Sequence, residues 1–500
     1  MTRFALEDAA DFVVVGTGAG GATAARVLTE AGHSVVMLEE GPFLRPQERA
    51  RELLPAMGQS LRDLATITTS GTAPIPLLLG RCVGGSTAVN SGIIWRLPDT
   101  VRRTWVDRFG LGALVEERAL DRAFTQIERD LGVAEVETSM RGGNANRMQQ
   151  AADILGLPGR FVRRNAPTCR GSARCLQGCP HGARQGMDVA YVPRALAAGA
   201  RLHTHVRVSH VATRDGRARD VVGDLIAFEG RGTRGRVRVT ALRGVIVAAG
   251  AIHTPGLLRR SGLGGLVGER YQAHPGAAVV GLFDEQVGMG FGVTQAFEVP
   301  MPARGFKLES LSLPPELLAS RLPGAGDRWQ RALHKLDYLA QWCAVVRMHA
   351  HGRVRPGWND AVRVRYEPTP RDLDRLKEGV ALVVRMMFAA GAREVYPGVA
   401  GLPDVFDKPE QAEWIRDPRV ARRDFHMMAS HHFGTACAGD DPRTSVVGPD
   451  LQSHDVRGLY VMDGSVFPTN LGVNPQHSIM AVAFRAAEDL ANLDRRRAAA

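Results

Sequence analysis

The stretch from Asp11 to Glu40 constrains this chain more than any other. Asp11-Phe12-Val13-Val14-Val15 is a nearly continuous apolar run, rich in β-branched residues, of the kind buried in a parallel sheet. It runs into Gly16-Thr17-Gly18-Ala19-Gly20-Gly21, then a helical stretch from Ala22 to Ala31 closed by Gly32. A second strand, Ser34 to Leu38, follows and ends at Glu39-Glu40. The unit predicts a dinucleotide site. Gly16 makes the turn, Gly18 lets backbone N–H groups approach a pyrophosphate, and Gly21 lets helix and strand pack closely. The helix N-terminus adds partial positive charge. Glu39 stands where a carboxylate accepts ribose hydroxyls, which argues against NADP and leaves FAD and NAD open.

A chain of 500 residues implies two or three structural units. Its apolar share, 44%, and balanced charges, 23%, suit a globular protein and exclude disorder. The net charge of +11 raises nucleic acid or an anionic membrane as partners. Against both, the basic residues are scattered, with no block longer than Arg495-Arg496-Arg497 and no nucleic-acid motif. A basic surface that attracts an anionic cofactor is the reading adopted. Met1 to Ala10 carries Glu7 and Asp8 and no apolar leader, and no long uncharged apolar run occurs. A cytoplasmic protein without a transmembrane segment is therefore expected. Six cysteines in such a length do not make a disulfide scaffold.

Later segments choose between the dinucleotides. A second glycine-rich stretch runs from Gly80 to Gly92 and leads into Ile93-Ile94-Trp95-Arg96. Gly244 to Gly250 is a buried strand and turn, continued through Thr254-Pro255-Gly256 to Gly262. Near the end come Ser430-His431-His432-Phe433-Gly434-Thr435, then Gly458 to Ser465, then Gly472-Val473-Asn474-Pro475-Gln476-His477. In order and spacing, these blocks resemble the glucose–methanol–choline (GMC) oxidoreductase family from Asp11 to about Leu490. Gly472-Val473-Asn474-Pro475 looks most similar to the branch that oxidises sterols and long-chain alcohols.

The resemblance implies an α/β fold: a Rossmann-type FAD-binding domain built from separated segments, with a substrate domain whose antiparallel sheet covers the flavin. It places the FAD-binding part at 1–96, 193–276 and 423–500, and the substrate part at 97–192 and 277–422. It also implies that Gly16, Gly18, Ala19, Gly20, Gly21 and Glu39 hold the ADP half of FAD. Arg81, Gly84, Gly85, Ser86, Asn90 and Ala249 would lie along the pyrophosphate and isoalloxazine, and Val208 would face the adenine. Asp463, Gly464, Asn474 and Pro475 would meet the flavin end. In the second part, Ala278 to Phe283 and Ala361 to Tyr366 have strand character, whereas Trp329 to Leu339 and Val380 to Ala390 look helical.

Oxidising an alcohol requires removal of the hydroxyl proton while hydride leaves carbon for flavin N5. A neutral imidazole suits the first task, and His431 is the expected base. Asn474 cannot be a base, but its amide can hold the alcohol oxygen. His432, His477 and His274 are rival histidines: a one-residue frame error would make His432 the base, whereas His477 and His274 read as structural or flavin-adjacent.

Cys169, Cys175 and Cys179 cluster beside Pro180, as thiolates do in iron–sulfur loops, but their spacing is not that of a common ferredoxin motif. Zinc would need a fourth ligand such as His181. A reduced glycine-rich loop packed over the flavin site is the reading adopted, with an iron–sulfur cluster as the lesser alternative. The expected activity is a FAD-dependent alcohol dehydrogenase or oxidase acting on a small-molecule alcohol. A non-redox lyase with structural flavin is the alternative, and the electron acceptor (oxygen, quinone or cytochrome) is left open.

Overall fold

A computed structural model describes residues 4–227, 232–357 and 361–499. The first strand, Leu6–Val15, lies between the parallel strands Val35–Leu38 and Thr233–Val247. Its last four residues, Phe12 to Val15, are all buried, which is why the sequence there is an uninterrupted apolar run. The helix Ala19–Glu30 packs behind this sheet, and Arg201–His203 extends the edge beyond Val35–Leu38. The long strand Thr233–Val247 changes role along its length. Its first half pairs antiparallel with Arg217–Ile226, while its end pairs parallel with Leu459–Val461. Segments from the start, middle and end of the chain thus meet at one sheet end, where ligands of such sheets bind.

The second large sheet is antiparallel, in the order Glu394–Tyr396, Gln272–Leu282, Leu339–Val346, Phe306–Ser310, Phe297–Met301 and Arg160–Phe161. Met427–Phe433 pairs with the free half of Gln272–Leu282. Each sheet organises its own hydrophobic core. The helix Pro370–Ala389, capped by Thr369, covers the second sheet. There Gly379 leaves room for Ala344, whose Cβ would stand 2.9 Å from a side chain at that position.

These elements match the expected strands and helices with one exception. The segment Trp329 to Leu339 is helical only as Asp327–Leu333 and a short turn at Leu336–Tyr338. At Leu339 a wholly buried strand begins, because Leu339–Val346 finds partners on both sides. The strand Gln272–Leu282 also runs across the division expected at residue 276.

Candidate active site

A cavity of about 950 Å³ extends from the first glycine turn, past the second glycine segment, to the inner face of the antiparallel sheet. Gly16, at φ +97°, is required twice over: no L side chain favours that angle, and a Cβ would stand 2.4 Å from the Ala248 carbonyl oxygen. At Gly20 a Cβ would fall 1.7 Å from the Met462 carbonyl oxygen. These glycines bring the Leu459–Val461 segment against the turn. Gly18 differs, since nothing lies within 4 Å of the Cβ it lacks, so its open side faces the cavity.

Glu39 is buried at the end of the second strand. It accepts from the Thr17 N–H at 3.1 Å, the Thr17 hydroxyl at 2.7 Å and the Gly41 N–H at 3.0 Å. Burial pushes its carboxyl above the usual range, opposed by those donors. The Thr17 hydroxyl in turn accepts from the Gly84 N–H at 3.0 Å, tying the two glycine segments together. Asp463 accepts from the Gly250 N–H at 2.9 Å and the Thr254 hydroxyl at 2.6 Å, and so fixes the start of the helix Gly250–Arg260. Asn90 donates to Gln476 at 2.7 Å and anchors the last helix, Gln476–Ala499.

Gly16, Gly18, Ala19, Gly20, Glu39, Gly85, Ser86, Asn90, Val208, Ala249, Asp463, Gly464, Asn474 and Pro475 all line the cavity. Gly21, Arg81 and Gly84 are not among its lining residues. At Gly21 a Cβ would meet the Gly16 carbonyl oxygen at 2.0 Å, so its role is helix–strand packing. The buried Ser91 hydroxyl and His253 Nε2 border the cavity with no protein partner. Open backbone at Gly18, a buried acid at the end of the second strand and orphaned polar atoms make a lining that fits FAD.

At the far end, His431 and Asn474 stand together. Asn474 Nδ2 is 3.5 Å from His431 Nε2, and His431 Nδ1 is 3.1 Å from His274 Nδ1, with the two rings stacked. Sequence reasoning missed the residue that orders this group. Lys307 Nζ donates to Asn474 Oδ1 at 2.5 Å and to Glu298 at 3.3 Å, and it also pairs with Glu309. Because the ammonium claims Oδ1, the amide turns its N–H₂ toward His431. His431 Nε2 is then the bare lone pair, and its Nδ1–H donates to His274. The available signal was the alternation in Phe306-Lys307-Leu308-Glu309: two opposite charges on one face of a buried strand.

The rival histidines separate by their partners. The pairing of Met427–Phe433 with Gln272–Leu282 is irregular between Ala429 and His432, and this lets the two adjacent histidines take different partners. His432 accordingly reaches Tyr271, whose hydroxyl is 3.0 Å from Nδ1, while His431 reaches Asn474. His477 is buried against Phe124, with Nε2 3.2 Å from Glu128. Burial holds three imidazoles at about 3, reinforced at His253 by Arg62, at His431 by Lys307 and at His432 by His431. His274 lies well below its ordinary value for the same first reason. Unfolded, each titrates near 6.5. Below that pH the unfolded chain binds protons that the native sites refuse, so stability falls as pH drops from about 6.5 toward 3. Unfolding at pH ~5.5 is therefore expected to take up protons, read from the dependence of the calorimetric enthalpy on the buffer's ionisation heat. Proton release there would contradict the assignment.

Cys169, Cys175 and Cys179 border a separate cavity of about 10 Å³ with His181, Arg164 and Arg184. All three are free thiols, and among the described residues no three His, Cys, Asp or Glu side chains are grouped to hold a metal. Burial disfavours the Cys175 thiolate, yet Arg164, 3.2 Å away, brings its pKa below the usual thiol value. No helix among the described residues is long and apolar enough to cross a membrane.

The GMC oxidoreductase family models match residues 10–276 and 348–483. The uncharacterized GMC-type oxidoreductase Rv0492c of Mycobacterium tuberculosis is 38% identical over 96% of this chain and 75% of its own length. The long-chain-alcohol oxidase FAO4A of Arabidopsis thaliana is 26% identical over 95% of this chain and 67% of its own. Among solved structures, pyridoxine 4-oxidase superposes with a TM-score of 0.71 at 18% identity, over 96% of this chain and 98% of that one.

Proposed function

The chain belongs to the GMC oxidoreductase family and is a FAD-binding oxidoreductase, and on that premise we propose that it oxidises an alcohol to an aldehyde or ketone. His431 is the base and Asn474 the group that positions the substrate oxygen. The observation that carries this reading is the His431–Asn474 pair, ordered by Lys307 and opening on the same cavity as the glycine turns. An alcohol oxygen placed between the two side chains accepts from Asn474 Nδ2 while its O–H donates to His431 Nε2. That fixes the carbinol hydrogen in one direction. His431 takes the hydroxyl proton, and His274 steadies the ring through Nδ1. FAD supplies the hydride acceptor. The likeness to long-chain-alcohol oxidases supports the substrate class.

The test is the anaerobic visible spectrum of the purified holoprotein before and after adding a panel of alcohols. Bleaching of the oxidised-flavin bands by one class is the expected result. Flavin bands that no alcohol bleaches would turn the reading to a non-redox lyase that keeps flavin for structure.

A further inference from the structure

We infer that Arg321 forms an anion subsite in the substrate end of the cavity, and that the alcohol oxidised here carries a carboxylate. The inference rests on the alcohol-oxidation reading and narrows it.

Arg321 follows the short helix Pro315–Ala319 and lines the cavity that also holds His431 and Asn474. It is half-buried, and no described residue gives its guanidinium an ion pair or a hydrogen bond. The other arginines along this cavity are engaged. Arg62 and Arg207 pair with Glu40, and Arg260 donates to the Ser209 carbonyl at 2.8 Å. Burial works against the charge of Arg321. Its five N–H donors are available to an anion in the cavity.

Leu311, Leu313, Leu317 and Met428 line the same cavity and suit an alkyl chain between the reacting carbon and the anion. The charge count selects the anion. His426, which lines the same cavity, is held below its ordinary pKa by burial and by that arginine, and Glu309 is already paired with Lys307. One cation matches a carboxylate, whereas a phosphate dianion would lack a second.

Calorimetric titration of the holoprotein with octanoate, octyl phosphate and 1-octanol tests the subsite without requiring turnover. Octanoate is expected to bind at least 10-fold more tightly than the other two, and Arg321→Gln to weaken it by about 10–100-fold, with partial recovery in Arg321→Lys. In flavin reduction, 8-hydroxyoctanoate should show a KM at least about 10-fold below that of 1-octanol. Octanoate binding no tighter than 1-octanol, or unchanged in Arg321→Gln, would overturn the subsite, and preference for octyl phosphate would overturn the carboxylate. Failure of the parent reading is separate: it is a flavin that no alcohol bleaches, whatever octanoate does.

Discussion

Replacing His431 by alanine is expected to slow anaerobic flavin reduction by about 10²–10⁴-fold, the usual range for losing a general base, while FAD stays bound. The effect should be this large because no neighbour can take over. Asn474 has no basic atom, and Lys307 is held charged by Glu309 and Glu298 against its burial. His274 lines the same cavity but is almost wholly buried, and its Nδ1 is engaged by His431 on the side away from Asn474. Retention of FAD follows because the glycine turn, Glu39 and Asn90 are held by bonds that do not involve His431. His432→Ala is the matched control. It removes a contact to Tyr271 and packing, so it should lower stability while leaving flavin reduction within a few-fold of the parent. The reverse pattern, with His432→Ala inactive and His431→Ala near normal, would show that the base is one residue further on.

What could be read from the sequence, and what could not, follows the range of the interactions involved. The strand–turn–helix unit was legible because each of its requirements is local. Gly16 answers a backbone angle, Gly21 a contact with a neighbouring turn, and Val13 to Val15 a buried strand. His431 and Asn474 were legible as members of ordered blocks. Lys307 was not, because two of its three partners lie elsewhere: Glu309 shares its strand, but Glu298 is on the neighbouring strand and Asn474 on a distant loop. Arg321 was hidden for the opposite reason. Its significance is the lack of a partner, and no sequence pattern records that. The helical reading of Trp329 to Leu339 failed at its end because tertiary pairing of Leu339–Val346 overrides local preference.

Lys307→Met is the second large effect, and it separates structure from chemistry. Lys307, Glu298 and Glu309 are almost wholly buried. Removing the one ammonium leaves two carboxylates close together in a dry sheet, a change that costs about 3–5 kcal/mol when a buried pair is broken. Glu298 keeps Trp95 and Arg160, each at 3.0 Å, but Glu309 keeps only Gln295 at 2.9 Å. Glu309 should therefore carry most of the penalty. Lys307→Met combined with Glu309→Gln should recover much of the stability at pH 8. It should not recover flavin reduction, because the Asn474 amide is still free to turn its oxygen toward His431 and spoil the acceptor–donor pair. The acid side of the rate profile offers an independent reading. Lys307 helps to hold His431 at about 3, so its loss should move that limb to higher pH. Equal recovery of rate and stability in the double variant would reduce Lys307 to a structural counter-ion. Recovery of stability alone would identify it as the residue that sets the orientation of Asn474.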